Sequence, residues 1–154
     1  MKVSEASGLM EAAREARRHA YAPYSGYAVG AALLAANGRV FCGCNVENAA
    51  FTPTCCAERV ALFTAVAAGV RDFCALAVCG GPAGGDTAPC TPCGVCRQAL
   101  REFCDPGSFR IYTEAAEGIR EYRLSELLPD GFGPENLRAP AGTAERKETG
   151  HEDV

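Results

Sequence analysis

The stretch Thr54-Cys55-Cys56-Ala57-Glu58-Arg59 places a thiol, that of Cys56, two residues before the carboxylate of Glu58. A second stretch, Pro92-Cys93-Gly94-Val95-Cys96, supplies two further thiols. A hydrolytic zinc site needs three protein ligands, one open position for water and a group that carries protons. The two stretches together therefore predict a zinc site with the thiolates of Cys56, Cys93 and Cys96 as ligands and Glu58 as general base and then general acid.

Each of these stretches is predicted to begin a helix. The first helix would span residues 55–68, with Thr54 as its N-terminal cap and Gly69 in the left-handed position that ends it. The second would span residues 92–103, with a proline in its first turn. Because a helix N-terminus carries partial positive charge, a thiol placed there favours the thiolate form that binds metal.

Arg59 and Glu58 each have a second interpretation. Arg59 lies one helical turn after Cys56, so its guanidinium is predicted to donate to the sulfurs and offset the negative charge of a three-thiolate zinc site. A surface or interface salt bridge is the alternative. Glu58 would otherwise be an ordinary exposed glutamate. Cys55 must point about 100° away from Cys56 and is predicted to pack in the core.

Cys90 keeps a different class of function open. With Cys93 it forms a second Cys-x-x-Cys spacing, and a structural zinc site would use four protein ligands. The thiols of Cys90, Cys93 and Cys96 would then belong to a structural zinc site or to a redox module that cycles disulfides. One zinc ion per chain, removed together with activity, would favour the catalytic interpretation.

The chain before these stretches is predicted to form a helix and a hairpin. Apolar residues recur at helical spacing over residues 4–20, and Pro23 prevents continuation. Residues 28–36 are small and apolar enough for a buried strand, and residues 39–45 should form the return strand. Asn37-Gly38 between them predicts a type I′ turn.

The rest of the chain predicts a three-layer α/β/α sandwich with a mixed sheet of about five strands. Because a helix separates residues 39–45 from the next strand, we expect a parallel crossover there. The short connection between the last two strands predicts antiparallel pairing. One catalytic domain is expected over residues 1–137 and a disordered tail over residues 138–154. The remaining predicted elements are strands at 73–79, 109–113 and 119–124 and a short helix at 125–128.

Composition limits the partners. The 15 basic and 19 acidic residues give a net charge of −4, so nucleic acid is not expected as a partner. No apolar run approaches the roughly 20 residues of a membrane span, and no export signal is evident, so we expect a cytoplasmic protein. Its ten cysteines should then be reduced. Five of them are predicted to be buried packing residues: Cys42, Cys44, Cys74, Cys79 and Cys104.

Five runs resemble the small homotetrameric zinc-dependent cytidine deaminase family. The resemblance implies hydrolytic deamination of cytidine and 2′-deoxycytidine to uridine and 2′-deoxyuridine, with release of ammonia, in pyrimidine salvage. It also implies one zinc per chain and a homotetramer with sites shared between subunits. Deamination of another aminopyrimidine, such as a cytosine-bearing antibiotic, is the alternative within the enzyme class. The runs lie at residues 22–33, 45–50, 56–59, 92–98 and 127–132.

The same resemblance assigns substrate contacts. Asn45 and Glu47 match the pair that holds the ribose hydroxyls, and Ala57 would offer backbone groups to the base. Tyr27 stands where the family usually has a phenylalanine beside the pyrimidine, so its hydroxyl needs a partner. The other two aromatic residues are Phe51, where many members have a tyrosine that reaches a neighbouring site, and Phe132, which would close over the base of an adjacent subunit. Core packing is the alternative role for each ring. Arg97 and Gln98 are expected to support the ligand helix.

Overall fold

The computed structural model describes residues 3–138. The predicted tail lies outside the described residues except for Arg138. The elements are α1 (Val3–Arg17), β1 (Tyr27–Ala35), β2 (Val40–Cys44), α2 (Ala57–Ala67), β3 (Phe73–Pro82), α3 (Gly94–Phe103), β4 (Arg110–Ala115), β5 (Gly118–Arg123), α4 (Leu124–Leu127) and a final 3₁₀ turn (Pro134–Leu137).

The five strands form one mixed sheet in the order β2-β1-β3-β4-β5. Strand β1 runs antiparallel to both β2 and β3, and β3 is parallel to β4. The predicted antiparallel pairing of β4 with β5 is confirmed. Strands β2 and β3 point the same way, as expected, but β1 separates them, so the crossover through α2 passes over a strand. The directly paired parallel strands are β3 and β4, which α3 connects.

Helices cover both faces of this sheet, which confirms the predicted three-layer sandwich. Helix α1 packs Leu9, Met10 and Ala13 on one face. Helix α1 comes close to β1 at Gly30, where an added Cβ would lie 2.0 Å from the carbonyl oxygen of Ala13. The opposite face is covered by α2, α3 and α4, and Leu62 of α2 belongs to the larger cluster of buried residues there.

Helix α2 rests on β2 at a glycine. A Cβ added to Gly43 would lie 2.4 Å from the carbonyl oxygen of Ala57 and 2.6 Å from the backbone nitrogen of Ala61. The side chain of a larger residue has no room there. The absence of a side chain at Gly43 therefore fixes how closely the first turn of α2 approaches the sheet.

The helix starts differ from the predicted ones. Helix α2 begins at Ala57, with Cys56 as its N-cap residue and no side-chain cap. The predicted cap, Thr54, instead accepts a hydrogen bond from the backbone N–H of Asn48 through its hydroxyl oxygen (3.1 Å). Helix α3 begins at Gly94, with Cys93 as its N-cap residue, so Pro92 precedes the helix.

The hairpin prediction was wrong in its turn type. Gly38 has a φ of 83°, but Asn37 does not have the positive φ that a type I′ turn requires. The backbone N–H of Gly38 donates to Ala35 (2.9 Å), so the central residues of the turn are Ala36 and Asn37. The amide oxygen of Asn37 accepts from the N–H of Arg39 (3.0 Å), and this local bond stabilises the alternative turn.

Two of the cysteines predicted to be buried are exposed. Cys42 lies on the edge strand β2, and Cys74 lies near the start of β3. Cys79 and Cys104 are buried as predicted, whereas Cys44 is partly exposed. Within residues 3–138, no helix combines the length and the apolar character that crossing a bilayer would need.

Candidate metal and active site

Three thiols meet where α2 and α3 begin. The sulfurs of Cys56, Cys93 and Cys96 all lie within 4.8 Å of one another. Cys56 and Cys93 are the N-cap residues of the two helices, and Cys96 lies in the first turn of α3. The positive ends of two helix dipoles therefore point at the thiol cluster, which favours negative charge there.

The spacing of these sulfurs suits a tetrahedral zinc ion. Zinc–thiolate bonds of about 2.3 Å place tetrahedral ligand sulfurs about 3.8 Å apart. The sulfurs of Cys56 and Cys93 are 3.8 Å apart. Cys90 and Cys55 are outside this three-thiol group. A zinc ion held by three sulfurs would keep its fourth position for water, as a catalytic site requires.

The surroundings of Cys56 favour its thiolate form. Hydrogen bonds from Cys96, Arg59 and Cys93, that from Cys96 being the largest cause, together lower the pKa of Cys56 to about 5. The same bond to Cys56 raises the pKa of Cys96, which keeps its proton. Negative charge is therefore concentrated on Cys56, the thiol to which Arg59 donates.

Glu58 is buried beside these thiols and is not an exposed helical glutamate. Only 4% of the surface of Glu58 is exposed. Burial is the main cause that raises the pKa of Glu58 to about 7, and the negative charge on Cys56 contributes to the same shift. A carboxyl group with a pKa near neutrality can both accept and release a proton at physiological pH, which is what general acid–base catalysis requires.

Arg59 makes contact with one sulfur of the three-thiol cluster. Its Nη2 lies 3.6 Å from the sulfur of Cys56, to which it donates, and 3.5 Å from the carbonyl oxygen of Thr54. The bond to Cys56 raises the pKa of Arg59, so the guanidinium stays charged. This cation places positive charge against the sulfur of Cys56, and its role in offsetting the charge of a zinc site stays a prediction.

A backbone bridge brings the proposed ribose contacts next to the thiol cluster. Val46 and Cys55 exchange two hydrogen bonds, of 2.9 and 3.0 Å. Asn45 and Cys56, the neighbours of this pair, are therefore held side by side. The amide of Asn45 is itself engaged, because Nδ2 donates to the carbonyl oxygen of Tyr27 (2.8 Å) and Oδ1 accepts from the N–H of Val29 (2.9 Å).

Glu47 lies in an apolar groove beside this bridge. Its Oε1 accepts from the backbone N–H groups of Tyr24 and Ser25, both at 3.1 Å. Phe51 lines the same groove, whose volume is about 650 Å³. The Phe51 ring meets that of Tyr24 edge-on, with centroids 5.9 Å apart. Phe51 is nevertheless 70% exposed, so core packing within one chain does not account for it.

The remaining candidate substrate contacts lie in the first turn of α2, at the start of β1 and in the loop after α4. Ala57 is buried in the first turn of α2, where its N–H has no partner within the helix. Tyr27 begins β1 and is half-buried. Phe132 is 55% exposed, and its carbonyl oxygen accepts from Nε2 of Gln98 (2.9 Å). Gln98 thus connects the loop that carries Phe132 to the helix that carries Cys96.

Comparison with known proteins identifies the family. The family profile described as the cytidine and deoxycytidylate deaminase zinc-binding region matches residues 3–110. The chain belongs to this deaminase family. The resemblance that the sequence motifs carry is thereby confirmed, and so is the zinc-binding character of the region that contains Cys56, Cys93 and Cys96.

Individual relatives extend the match over most of the deaminase chain. The cytidine deaminase of Sporosarcina psychrophila is 48% identical over 130 residues, which are 84% of this chain and 92% of the relative. The cytidine deaminase of Halalkalibacterium halodurans is 46% identical over 131 residues, or 84% and 95%. The crystal structure of the cytidine deaminase from Burkholderia pseudomallei shares the fold with a TM-score of 0.74, at 45% identity, covering 86% of this chain and 100% of that one.

Two arginines join elements of this deaminase through bonds to backbone carbonyl oxygens. Arg97 donates to the carbonyl oxygens of Pro92 and Leu127, both at 2.7 Å, which ties the ligand loop to α4. The sequence predicted a supporting role for it. Arg17 was missed: it donates to the carbonyl oxygens of Ala28 and Pro82 (3.0 and 2.7 Å) and joins α1 to the ends of β1 and β3. Its place in the last turn of an amphipathic helix gave no signal of this role.

Proposed function

We propose that this deaminase converts cytidine and 2′-deoxycytidine to uridine and 2′-deoxyuridine by zinc-dependent hydrolysis, with release of ammonia, in pyrimidine salvage. The observation that carries the proposal is the buried carboxylate of Glu58 beside three thiols spaced for zinc. Family membership and relatives named cytidine deaminase support the choice of cytosine nucleosides.

Cys56, Cys93 and Cys96 would hold the zinc. The bound ion would act as a Lewis acid that makes water a nucleophile at neutral pH. Arg59 would offset the charge of the three thiolates, because excess negative charge weakens that acidifying effect.

Glu58 would carry the protons of the reaction. Its carboxylate would take a proton from the attacking water and deliver it to N3 of the cytosine ring, while the oxygen of that water bonds to C4. A second proton transfer from the water oxygen to the departing amine would then release ammonia and leave the C4 carbonyl of uridine. The raised pKa of Glu58, about 7, matches a group that must both accept and donate near neutral pH.

The substrate contacts follow the positions of the other candidates. Asn45 and Glu47 would bind the ribose hydroxyls, since an amide and a carboxylate can together satisfy a diol. Ala57 would offer its backbone N–H at the start of α2, and Tyr27 would form a wall beside the pyrimidine. In Asn45, one N–H and one lone pair remain for substrate after the two bonds to β1.

A homotetramer with shared sites would explain the exposed aromatic residues. Phe51 and Phe132 are 70% and 55% exposed in the single chain, and a neighbouring subunit would bury them. Within residues 3–138, the Nε of Arg59 is buried without a hydrogen-bond partner, and an adjoining subunit would supply an acceptor. We place the protein in the cytoplasm, where its ten cysteines would stay reduced.

The test compares substrates. Purified protein should convert cytidine and 2′-deoxycytidine, followed by ultraviolet absorbance and ammonia release, and should act on free cytosine far more slowly. Glu47→Gln should raise KM for cytidine more than for free cytosine, because only the nucleoside carries the ribose. A preference for free cytosine would contradict the ribose contacts. A protein that is a monomer by light scattering and fully active in the same buffer would contradict the shared sites.

A further inference from the structure

Tyr27 and Cys90 meet over a glycine of β3. A Cβ added to Gly80 would lie 2.9 Å from Cε1 of Tyr27 and 2.8 Å from the sulfur of Cys90. Both side chains therefore press against the same point of the sheet, where a larger residue has no space. Cys90 is brought there because the backbone N–H of Ala88 donates to the carbonyl oxygen of Gly80 (2.8 Å), in an isolated bridge.

The hydroxyl of Tyr27 faces this thiol. Burial raises the pKa of Tyr27, and the charge and hydrogen-bonding capacity of Cys90 raise it further. In return, the hydrogen bond with Tyr27 favours the thiolate of Cys90, although burial dominates and leaves the pKa of Cys90 raised. Cys90 thus supplies a partner for the Tyr27 hydroxyl, which a phenylalanine at this position would not need.

The backbone of Tyr27 is fixed as well. Its carbonyl oxygen accepts from Nδ2 of Asn45 (2.8 Å), and its N–H donates to the hydroxyl oxygen of Ser25 (3.0 Å). The ring is therefore held at the backbone by Asn45 and at its far end by Cys90, with Gly80 behind it. Cys90 itself is not part of the three-thiol metal group.

We infer that Cys90 and Gly80 are positioning residues that set where the Tyr27 ring stands against the pyrimidine, and so determine affinity for cytosine nucleosides. This inference rests on the proposed function. It gives Cys90 a role outside zinc binding and disulfide exchange. Because the two residues act through the ring, they should affect substrate binding more than the chemical step.

A double-mutant cycle tests the coupling. Cys90→Ala and Tyr27→Phe should each raise KM for cytidine roughly 2- to 10-fold, the range of an aromatic contact, with little change in kcat or zinc content. The double variant should be no worse than the poorer single variant, because both changes remove one interaction. Cys90→Ser should keep a KM close to that of the wild type, since a serine hydroxyl can also form a hydrogen bond with the tyrosine. Gly80→Ala should raise KM, whereas Gly8→Ala, with no atom within 4 Å of the added methyl group, should not.

A second measurement does not depend on catalysis. Tyr27→Ala should increase the rate at which a small alkylating reagent modifies Cys90, measured by peptide mass spectrometry, with an unchanged zinc content. An unchanged alkylation rate, an unaltered KM in Cys90→Ala, or effects that multiply in the double variant would overturn the inference. If the wild-type protein left cytidine unchanged while Tyr27→Ala still increased the alkylation of Cys90, that result would instead refute the proposed function and confine the pair to packing.

Discussion

The sulfurs of Cys56 and Cys93 lie 3.8 Å apart although 37 residues separate them in the chain. Each caps a different helix, and both helices cover the same face of the sheet. The metal site is therefore formed by the relative placement of α2 and α3, and changes that move either helix should affect the metal before they affect the rest of the fold.

The cysteines should separate into three classes of reactivity. Exposed Cys42 and Cys74 should be alkylated first. Burial raises the pKa of Cys79 to about 11 and that of Cys104 to about 12, so these two thiols should stay protonated and resist alkylation. The ligand thiols, Cys56, Cys93 and Cys96, should be protected until a chelator removes zinc. Mass spectrometry of the labelled peptides, with and without chelator, measures this. Fast labelling of the ligand thiols in zinc-loaded protein would contradict the assigned ligand set.

Arg59 should tune the metal rather than bind it. Arg59→Ala removes the donor to the sulfur of Cys56 and the nearest positive charge, so zinc affinity should fall about 10- to 100-fold. The zinc affinity of Arg59→Lys should lie between those of Arg59→Ala and the wild type, because a lysine keeps the charge but loses the planar donor group. Competition with a chromogenic chelator measures the affinity.

The matched control for this variant is Arg18→Ala. Arg18 forms an exposed pair with Glu15 on α1 (3.2 Å), so its loss should leave zinc affinity unchanged. Equal effects of the two arginine variants would show that only overall charge matters at the site.

Gly43 should be required for the position of α2. In Gly43→Ala, the added methyl group would collide with the backbone of Ala57 and Ala61, at 2.4 and 2.6 Å, and overpacking of this kind costs about 1–3 kcal/mol. Chemical denaturation should show this loss in unfolding free energy together with weaker zinc retention, because Cys56 moves with the helix. The methyl group added in Gly8→Ala has no neighbour within 4 Å, so this variant should leave the free energy of unfolding unchanged or raise it. If Gly43→Ala retained full stability and zinc, β2 would not determine where α2 lies.

The sequence was sufficient for the fold and for the residues that meet at the cluster. Helical periodicity, Gly69 and the short β4–β5 connection are local signals, and each predicted an element or a pairing that the structure contains. The spacing of Cys93 and Cys96 placed both sulfurs on one side of a helix start. That Cys56 joins them followed from the motif pattern and the family resemblance, since no local rule connects residues so far apart.

What the sequence could not predict depends in part on a local choice between two turns and in part on long-range packing. Asn37-Gly38 fits two kinds of turn, because the glycine can take a positive φ in either, and the bond from Arg39 to the Asn37 side chain favours the other one. The exposure of Cys42 followed from the edge position of β2. The partner of the Tyr27 hydroxyl appears only when β1, β3 and the following loop are assembled.

The most direct test of the proposed function is the rate of cytidine deamination by Glu58→Gln, measured by ultraviolet absorbance alongside zinc content and thermal unfolding. The variant keeps the shape of the side chain and loses the proton carrier, so its rate should fall about 10²- to 10⁴-fold while one zinc ion per chain is retained. Glu15→Gln on the exposed face of α1 should match the wild-type rate. A Glu58→Gln protein that keeps its zinc and deaminates cytidine at the wild-type rate would contradict the account.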